Sequence, residues 1–152
     1  MIRLRKITPR PAEDQLEFLW QLQRERPASS RISSTPELQW EDHVRFVRNH
    51  PYREWFLVLL GDEMIGSIYA GYDNSIGVAI LRYYQGCGYG EAAVRELMRK
   101  LVPLPAIPSV RRESWVANVA PENEGAQRFF ERLGFNHIQV TYASPGSGST
   151  SG

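Results

Sequence analysis

Three apolar runs separated by two short turns dominate the middle of the chain. Trp55 to Leu60 reads WFLVLL, Gly61-Asp62-Glu63 follows, then MIGSIYAGY, then Asp73-Asn74, then IGVAIL. Gly, Asp and Asn tolerate the backbone angles of tight hairpin turns, so turn residues between strand-length apolar runs predict an antiparallel meander. Everything before and after must then cover the two faces of that sheet. Immediately after it comes YYQGCGYGEAA, residues 83–93, with three glycines and the single cysteine in five positions ahead of a helical stretch.

The flanks supply the covering elements. MIRLRKI alternates Ile2 and Leu4 with charged neighbours, the pattern of a short half-exposed strand. From Pro11 to Arg24, Leu16, Leu19, Trp20 and Leu22 recur at helical spacing, and RPASSRISS then breaks the pattern with Pro and Ser. SSTPELQW announces a second helix, with Ser34 and Glu37 as a capping box or Thr35 as N-cap ahead of Pro36, and with Trp40, Val44 and Val47 on one face. Ala93, Leu97 and Leu101 predict a third helix directly after the glycines, with Glu91, Arg95, Arg99 and Lys100 outward. VPLPAIP ends it, VRRESWVANV reads as a strand, and Ala126, Phe129, Phe130 and Leu133 trace a fourth helix stopped by Gly134. FNHIQVTY reads as a last strand, and ASPGSGSTSG has the composition of a linker. One domain over residues 1–142 with a flexible polar tail over 143–152 is expected.

Composition narrows the partners. At 152 residues the chain can bury one sizeable core without staples. Its 18 Lys and Arg against 17 Asp and Glu leave a net charge of +1, which provides no broad footprint for nucleic acid or membrane. One cysteine, no apolar leader and no run of spanning length make the cytoplasm the expected compartment. His43, His50 and His137 lack metal-ligand spacing, so no metal is expected.

A glycine loop between a strand and a helix N-terminus presents unobstructed amides, where the helix dipole favours an anion; a plain tight turn is the competing explanation. A P-loop fails for want of Lys-Ser or Lys-Thr after the glycines. Gly88-Tyr89-Gly90-Glu91-Ala92-Ala93 satisfies G-x-G-x-x-A, but a dinucleotide site needs a parallel βαβ unit and an acidic residue closing the next strand, whereas a meander precedes this loop and that strand ends at Asn118.

Gln85-Gly86-Cys87-Gly88-Tyr89-Gly90 also satisfies Q/R-x-x-G-x-G/A and resembles the pyrophosphate loop of the GNAT superfamily of acyl-CoA-dependent N-acyltransferases. PENEGAQRFFERLGF, with Asn123, Phe130 and Leu-Gly-Phe at 133–135, resembles the family's following block. The order β-α-α-β-β-β-α-β-α-β is also the family's. The resemblance implies an α+β GNAT fold with a mixed central sheet of about six strands, the family's seventh strand missing after Tyr142. An exposed last strand of that kind invites a homodimer contact.

The resemblance further implies acetyl-CoA as cosubstrate. Its pantetheine arm would lie along Val78, Ala79 and Ile80, and its pyrophosphate on the amides of Gly86 to Gly90, with Gln85, Cys87, Tyr89, Glu91, Asn123 and Phe130 nearby. A neutral amine would attack the thioester while a backbone N–H near Ile80 steadies the oxyanion. Two positions depart from the better-known pattern: Phe130 stands where a tyrosine often protonates the leaving thiolate, and Asn118 where N-terminal acetyltransferases often place a glutamate base. Asn118, Asn123 and Tyr142 are candidate substitutes, with strand-end bonding or helix capping as their alternative roles. Glu113 falls on the opposite strand face from Asn118, and Cys87 has no basic partner in sequence to make it a nucleophile.

Residues 40–59, WEDHVRFVRNHPYREWFLVL, resemble GNAT enzymes that acetylate a nucleotide-linked amino sugar in the pseudaminic acid pathway, although Trp40, Val44 and Val47 also fit plain core packing. Arg31 could face such a sugar's phosphates or simply lie in a solvated loop. The expected function is acetyl transfer to a small primary amine, with an amino sugar as leading acceptor. A protein N-terminus and a non-catalytic acyl-CoA-binding module are the alternatives.

Overall fold

Glycine at position 61, with φ of 64°, closes a two-residue turn that sets the register of the meander. The computed structural model describes residues 1–26 and 39–146 of the chain. Its strands are β1 (Ile2–Lys6), β2 (Glu54–Leu60), β3 (Glu63–Ala70) and β4 (Ile76–Ile80), in sheet order β1-β2-β3-β4 and antiparallel throughout. The helices are α1 (Glu13–Glu25), α2 (Trp40–Asn49), α3 (Tyr89–Lys100) and α4 (Glu124–Arg132), with a 3₁₀ turn at Arg82–Tyr84.

Strict alternation in β2 divides the core in two. Trp55, Leu57 and Leu59 face one way and meet Leu16, Phe18, Leu19 and Leu22 of α1 and Val47 of α2. Phe56 and Val58 face the other way, with Ile65, Ile68, Ala70 and Ile76, against Ala93, Val94 and Leu97 of α3. Both sheet faces are covered, which explains why WFLVLL is apolar without alternation. Each large apolar side chain taken fully out of water contributes about 1.5–3 kcal/mol. The register slips between Val58 and Leu59, leaving Ile65 as an extra residue whose carbonyl accepts from Leu81 N at 2.8 Å.

The expected first helix forms two residues late, at Glu13. Trp40 and Val47 pack toward the core, and Val44 is half-buried on the same helix. The expected caps Ser34, Thr35 and Pro36, and Arg31, lie outside the described residues, as do residues 147–152 of the expected polar tail. The described part of α2 starts at Trp40, where the Gln39 amide donates to the Asp42 carboxylate at 3.4 Å.

The mixed six-strand sheet does not form among the described residues. VRRESWVANV contributes one parallel bridge, in which Ile76 N donates to Val116 O at 2.8 Å and Val116 N to Asn74 O at 3.0 Å. Its leading residues are held in other bonds: Arg111 closes a tight turn back onto Ile107, and the Arg112 carbonyl accepts from Asn74 Nδ2 at 2.7 Å. FNHIQVTY forms no strand; Ile138 and Val140 are half or more exposed and Tyr142 almost fully so. Alternation in these segments is compatible with a strand but supplies no neighbour to pair with.

Candidate functional site

β4 is hydrogen-bonded on one side and open on the other. Leu81 N donates to Ile65 O on β3, whereas Ile76 N points away from β3 to Val116 O. Backbone groups alternate sides along an antiparallel strand. The N–H groups of Val78 and Ile80 therefore point away from β3, and no described residue pairs with them. The bridge at Ile76 closes one end of this opening; the glycine loop stands at the other.

The loop is built from conformation rather than from side-chain contacts. Gly86 and Gly88 have φ of 80° and 84°, the left-handed region that glycine adopts without strain, and a Cβ added at either meets nothing within 4 Å. Two left-handed residues flanking Cys87 turn successive amides toward a common concavity that side chains would partly fill. Gly88 is the N-cap of α3 with no side-chain cap, and Ala92 N is the first amide bonded back to it, at 3.0 Å. The amides of Tyr89, Gly90 and Glu91 are left free at the positive end of a 12-residue helix. Residues of this kind fit a pyrophosphate. Gly90 differs from its neighbours: a Cβ there would lie 3.1 Å from Phe129 Cε1, so its smallness serves the packing of α4 on α3.

Three side chains fix the loop from outside. Gln85 Nε2 donates to Ile80 O at 2.9 Å, Glu25 Oε1 at the end of α1 accepts from Arg82 N at 2.8 Å, and the Tyr84 hydroxyl donates to Glu63 Oε2 at 2.6 Å. The bond to Glu63 is the main cause that pushes the Tyr84 phenol up to about 12. The Glu91 carboxylate accepts from Arg95 Nη2 at 3.0 Å. Cys87 is exposed, with its Sγ 3.8 Å from Gln85 O and no basic partner among the described residues.

The remaining candidates divide. Asn123 caps α4, its side chain accepting from Ala126 N at 3.1 Å. Phe130 is buried and packs edge-on against Phe129 and at a tilt against Phe135, with centroids at 5.0 and 5.2 Å. Asn118 and Tyr142 are exposed, and the exposed Glu113 carboxylate accepts from Ala106 N at 3.4 Å. Val78, Ala79 and Ile80 are half-buried on β4. The structure thus brings the β4 edge, the loop and, through Phe129, α4 together, while Asn118 and Tyr142 lie on the surface. Among the described residues no group of three His, Cys, Asp or Glu could hold a metal ion, and no helix is long and apolar enough to cross a membrane.

Sequence reasoning passed over three residues. Asn74, fully buried in the β3–β4 turn, bonds to Leu104 and Arg112 and ties the chain after α3 to the start of β4. Tyr69 and Tyr52 stack with centroids 3.8 Å apart and planes 9° apart, on the face of the sheet covered by α1 and α2. Burial pushes both phenols up. The available signal was in MIGSIYAGY, where Ser67 and Tyr69 put polar groups at alternate positions of an otherwise apolar strand. A surface groove between Leu4, Lys6, Glu54, Phe56, Lys100 and Leu101 contains none of these residues and has no constellation suited to chemistry.

A family model for the acetyltransferase (GNAT) family matches residues 16–135. No curated protein sequence matches. Solved structures do. An acetyltransferase from Thermus thermophilus aligns at TM-score 0.70 and 23% identity, over 91% of this chain and 89% of its own. The N-acetyltransferase PseH from Campylobacter jejuni, in complex with acetyl coenzyme A, aligns at TM-score 0.63 and 17% identity over 93% and 92%. The aminoglycoside N-acetyltransferase AAC(6')-Iy, in complex with CoA, aligns at 0.63 and 15% over 95% and 93%.

Proposed function

The chain belongs to the acetyltransferase (GNAT) family and is an acetyl-CoA-dependent acetyltransferase, and on that premise we propose that it acetylates the primary amine of a small molecule, with a nucleotide-linked amino sugar as leading acceptor. The observation that carries the donor side is the row of backbone donors left unpaired among the described residues. It starts at Val78 and Ile80 on the open edge of β4 and ends at the amides of Gly86 to Glu91.

Acetyl-CoA, when bound, supplies an acetyl thioester. The amides of Gly86, Cys87, Gly88, Tyr89, Gly90 and Glu91 hold its pyrophosphate, and Gln85 keeps the Ile80 carbonyl occupied so that the strand end presents donors. Val78 and Ile80 bond the pantetheine arm, with Ala79 between them on the opposite face. Phe130 and Asn123 act indirectly: Phe130 fixes α4 through the core and Asn123 fixes its first turn, while Phe129 seats α4 against Gly90. Transfer is direct, the amine nitrogen bonding to the acetyl carbon as the carbon–sulfur bond breaks and the electron pair leaves with sulfur. A thiol of pKa about 8.5 is a tolerable leaving group without the usual tyrosine at position 130. The amine's proton passes to a water, which the exposed Asn118 amide can hold by a hydrogen bond.

The amino-sugar acceptor is supported by the likeness of residues 40–59 to pseudaminic-pathway enzymes and by the PseH and aminoglycoside acetyltransferase neighbours, which share the fold. The exposed Ile138 and Val140 support a homodimer contact. Release of CoA with a panel of amino sugars, polyamines and peptides is the test. Turnover on nucleotide-linked amino sugars above the rest is the expected result; turnover only on peptides overturns the acceptor, and none above hydrolysis while acetyl-CoA binds overturns the small-amine reading.

A further inference from the structure

Gly77 lies directly across from Tyr69 in the β3–β4 ladder, and the Tyr69 ring occupies the space above it. A Cβ at Gly77 would sit 2.2 Å from Tyr69 Cε2, 2.3 Å from Cζ and 2.5 Å from Oη. The phenol therefore extends across β4, over the one residue of that strand able to admit it, with its hydroxyl above the strand whose far edge is open. Tyr52 stacks flat on the ring and holds it there. The half-buried phenol is therefore a donor held in one orientation, aimed across β4 toward its open edge.

We propose that the Tyr69 hydroxyl is a hydrogen-bond donor to the thioester carbonyl oxygen of bound acetyl-CoA, an inference that rests on the donor site described above. The free amides start at the loop and run along Ile80 and Val78, and the opening ends where Ile76 pairs with Val116. A ligand anchored by its pyrophosphate at the loop and extended along that edge brings its far end beside Gly77, beneath the phenol. Burial holds the Tyr69 phenol above its ordinary range, with the Arg26 charge acting against that rise and Asp73 adding to it, so the group keeps its proton at neutral pH. It acts as a donor and not as a base. As the amine nitrogen bonds to the carbonyl carbon, the oxygen gains negative charge and the hydrogen bond strengthens, while the proton stays on Tyr69.

The test reads the carbonyl itself. The full chain is titrated with acetyl-CoA carrying ¹³C at the carbonyl carbon, and the bound resonance is compared across variants. In the wild-type protein the bound signal moves downfield of the free one. Tyr69→Phe keeps the ring and its stack on Tyr52, and is expected to return the signal toward its free position while the Kd for acetyl-CoA changes by no more than about tenfold. Gly77→Ala, which drives the ring from its seat, is expected to do the same. Tyr52→Phe leaves the shift in place. An identical bound shift in wild type and Tyr69→Phe overturns the inference and leaves the donor site standing. Failure of wild-type protein to bind acetyl-CoA overturns the donor site, and the inference with it.

Discussion

Asn74 and Leu104 exchange two hydrogen bonds: Asn74 Nδ2 donates to Leu104 O at 3.0 Å, and Leu104 N donates to Asn74 Oδ1 at 2.8 Å. A third, from the same Nδ2 to Arg112 O at 2.7 Å, makes one buried amide a fastening for two points of the chain between α3 and α4. Asn74 also sits at φ of 67°, which asparagine tolerates better than most residues.

Asn74→Ala leaves Leu104 N and two carbonyls without their partner and places an alanine in the left-handed region. Roughly 2–4 kcal/mol of stability should be lost, seen as a lower urea midpoint with unchanged slope. Acetyl-CoA binding should weaken as well, because the Ile76–Val116 bridge that ends the β4 opening adjoins this turn.

At the loop, the glycine positions can be told apart. Gly88→Asn keeps a residue that tolerates positive φ but puts a side chain into the space above the amides, whereas Gly88→Val adds backbone strain of about 1–2 kcal/mol. Gly88→Asn should unfold close to the wild-type temperature and lose most of its acetyl-CoA affinity by calorimetry. Equal losses in stability and binding would show that the glycine serves the turn alone.

Restoring the family's tyrosine at position 130 should not help. The Phe130 ring lies in the core between Phe129 and Phe135, so Phe130→Tyr buries a hydroxyl without a partner at a cost of about 1–3 kcal/mol. The variant should melt earlier, with kcat no higher than wild type; a rise in kcat would place that ring at the reaction centre after all.

His43 makes stability depend on pH. It is 2% exposed between Trp20 and Trp40; its Nε2 contacts Leu16 O at 3.1 Å and its Nδ1 has no partner among the described residues. Burial lowers its pKa below the ordinary 6.5, outweighing the backbone hydrogen bond that acts to raise it. Well above pH 6.5 the ring is neutral in both folded and unfolded chains. As the pH drops through that value the unfolded chain takes up the proton first, so stability falls with pH. Melting temperatures from about pH 7.5 to about pH 5 should decline in wild type and decline less in His43→Phe.

The meander and the four helices were legible because their signals are local: turn residues at fixed places, and apolar spacing that matches one period. The place of the glycine loop was legible for the same reason, its glycines standing between a strand and a helix. Pairing is not local. VRRESWVANV and FNHIQVTY alternate as strands do, but Arg111 and Arg112 are engaged elsewhere and Ile138 and Val140 meet no strand, so among the described residues the bridge at Val116 is the only strand pairing they make with the sheet. Residue roles set by three-dimensional neighbours were equally hidden. Phe130 and Phe129 are adjacent in sequence, and only the packing shows that one belongs to the core and the other to Gly90. Tyr69 could be noticed as a polar interruption of an apolar strand, but its reach depends on Gly77, which lies beyond the turn and across the ladder.

The bond from Arg82 N to Glu25 joins the last residue of α1 to the entrance of the glycine loop. Glu25 lies on the helix that covers one face of the sheet, and Arg82 on the turn that leads out of β4. One carboxylate thus serves as a hinge pin between α1 and the glycine loop. Linkage then requires reciprocity: an acceptor that displaces Glu25 alters coenzyme affinity by the same factor by which bound coenzyme alters its own. A change at Glu25, outside the loop, would therefore retune the coenzyme constant.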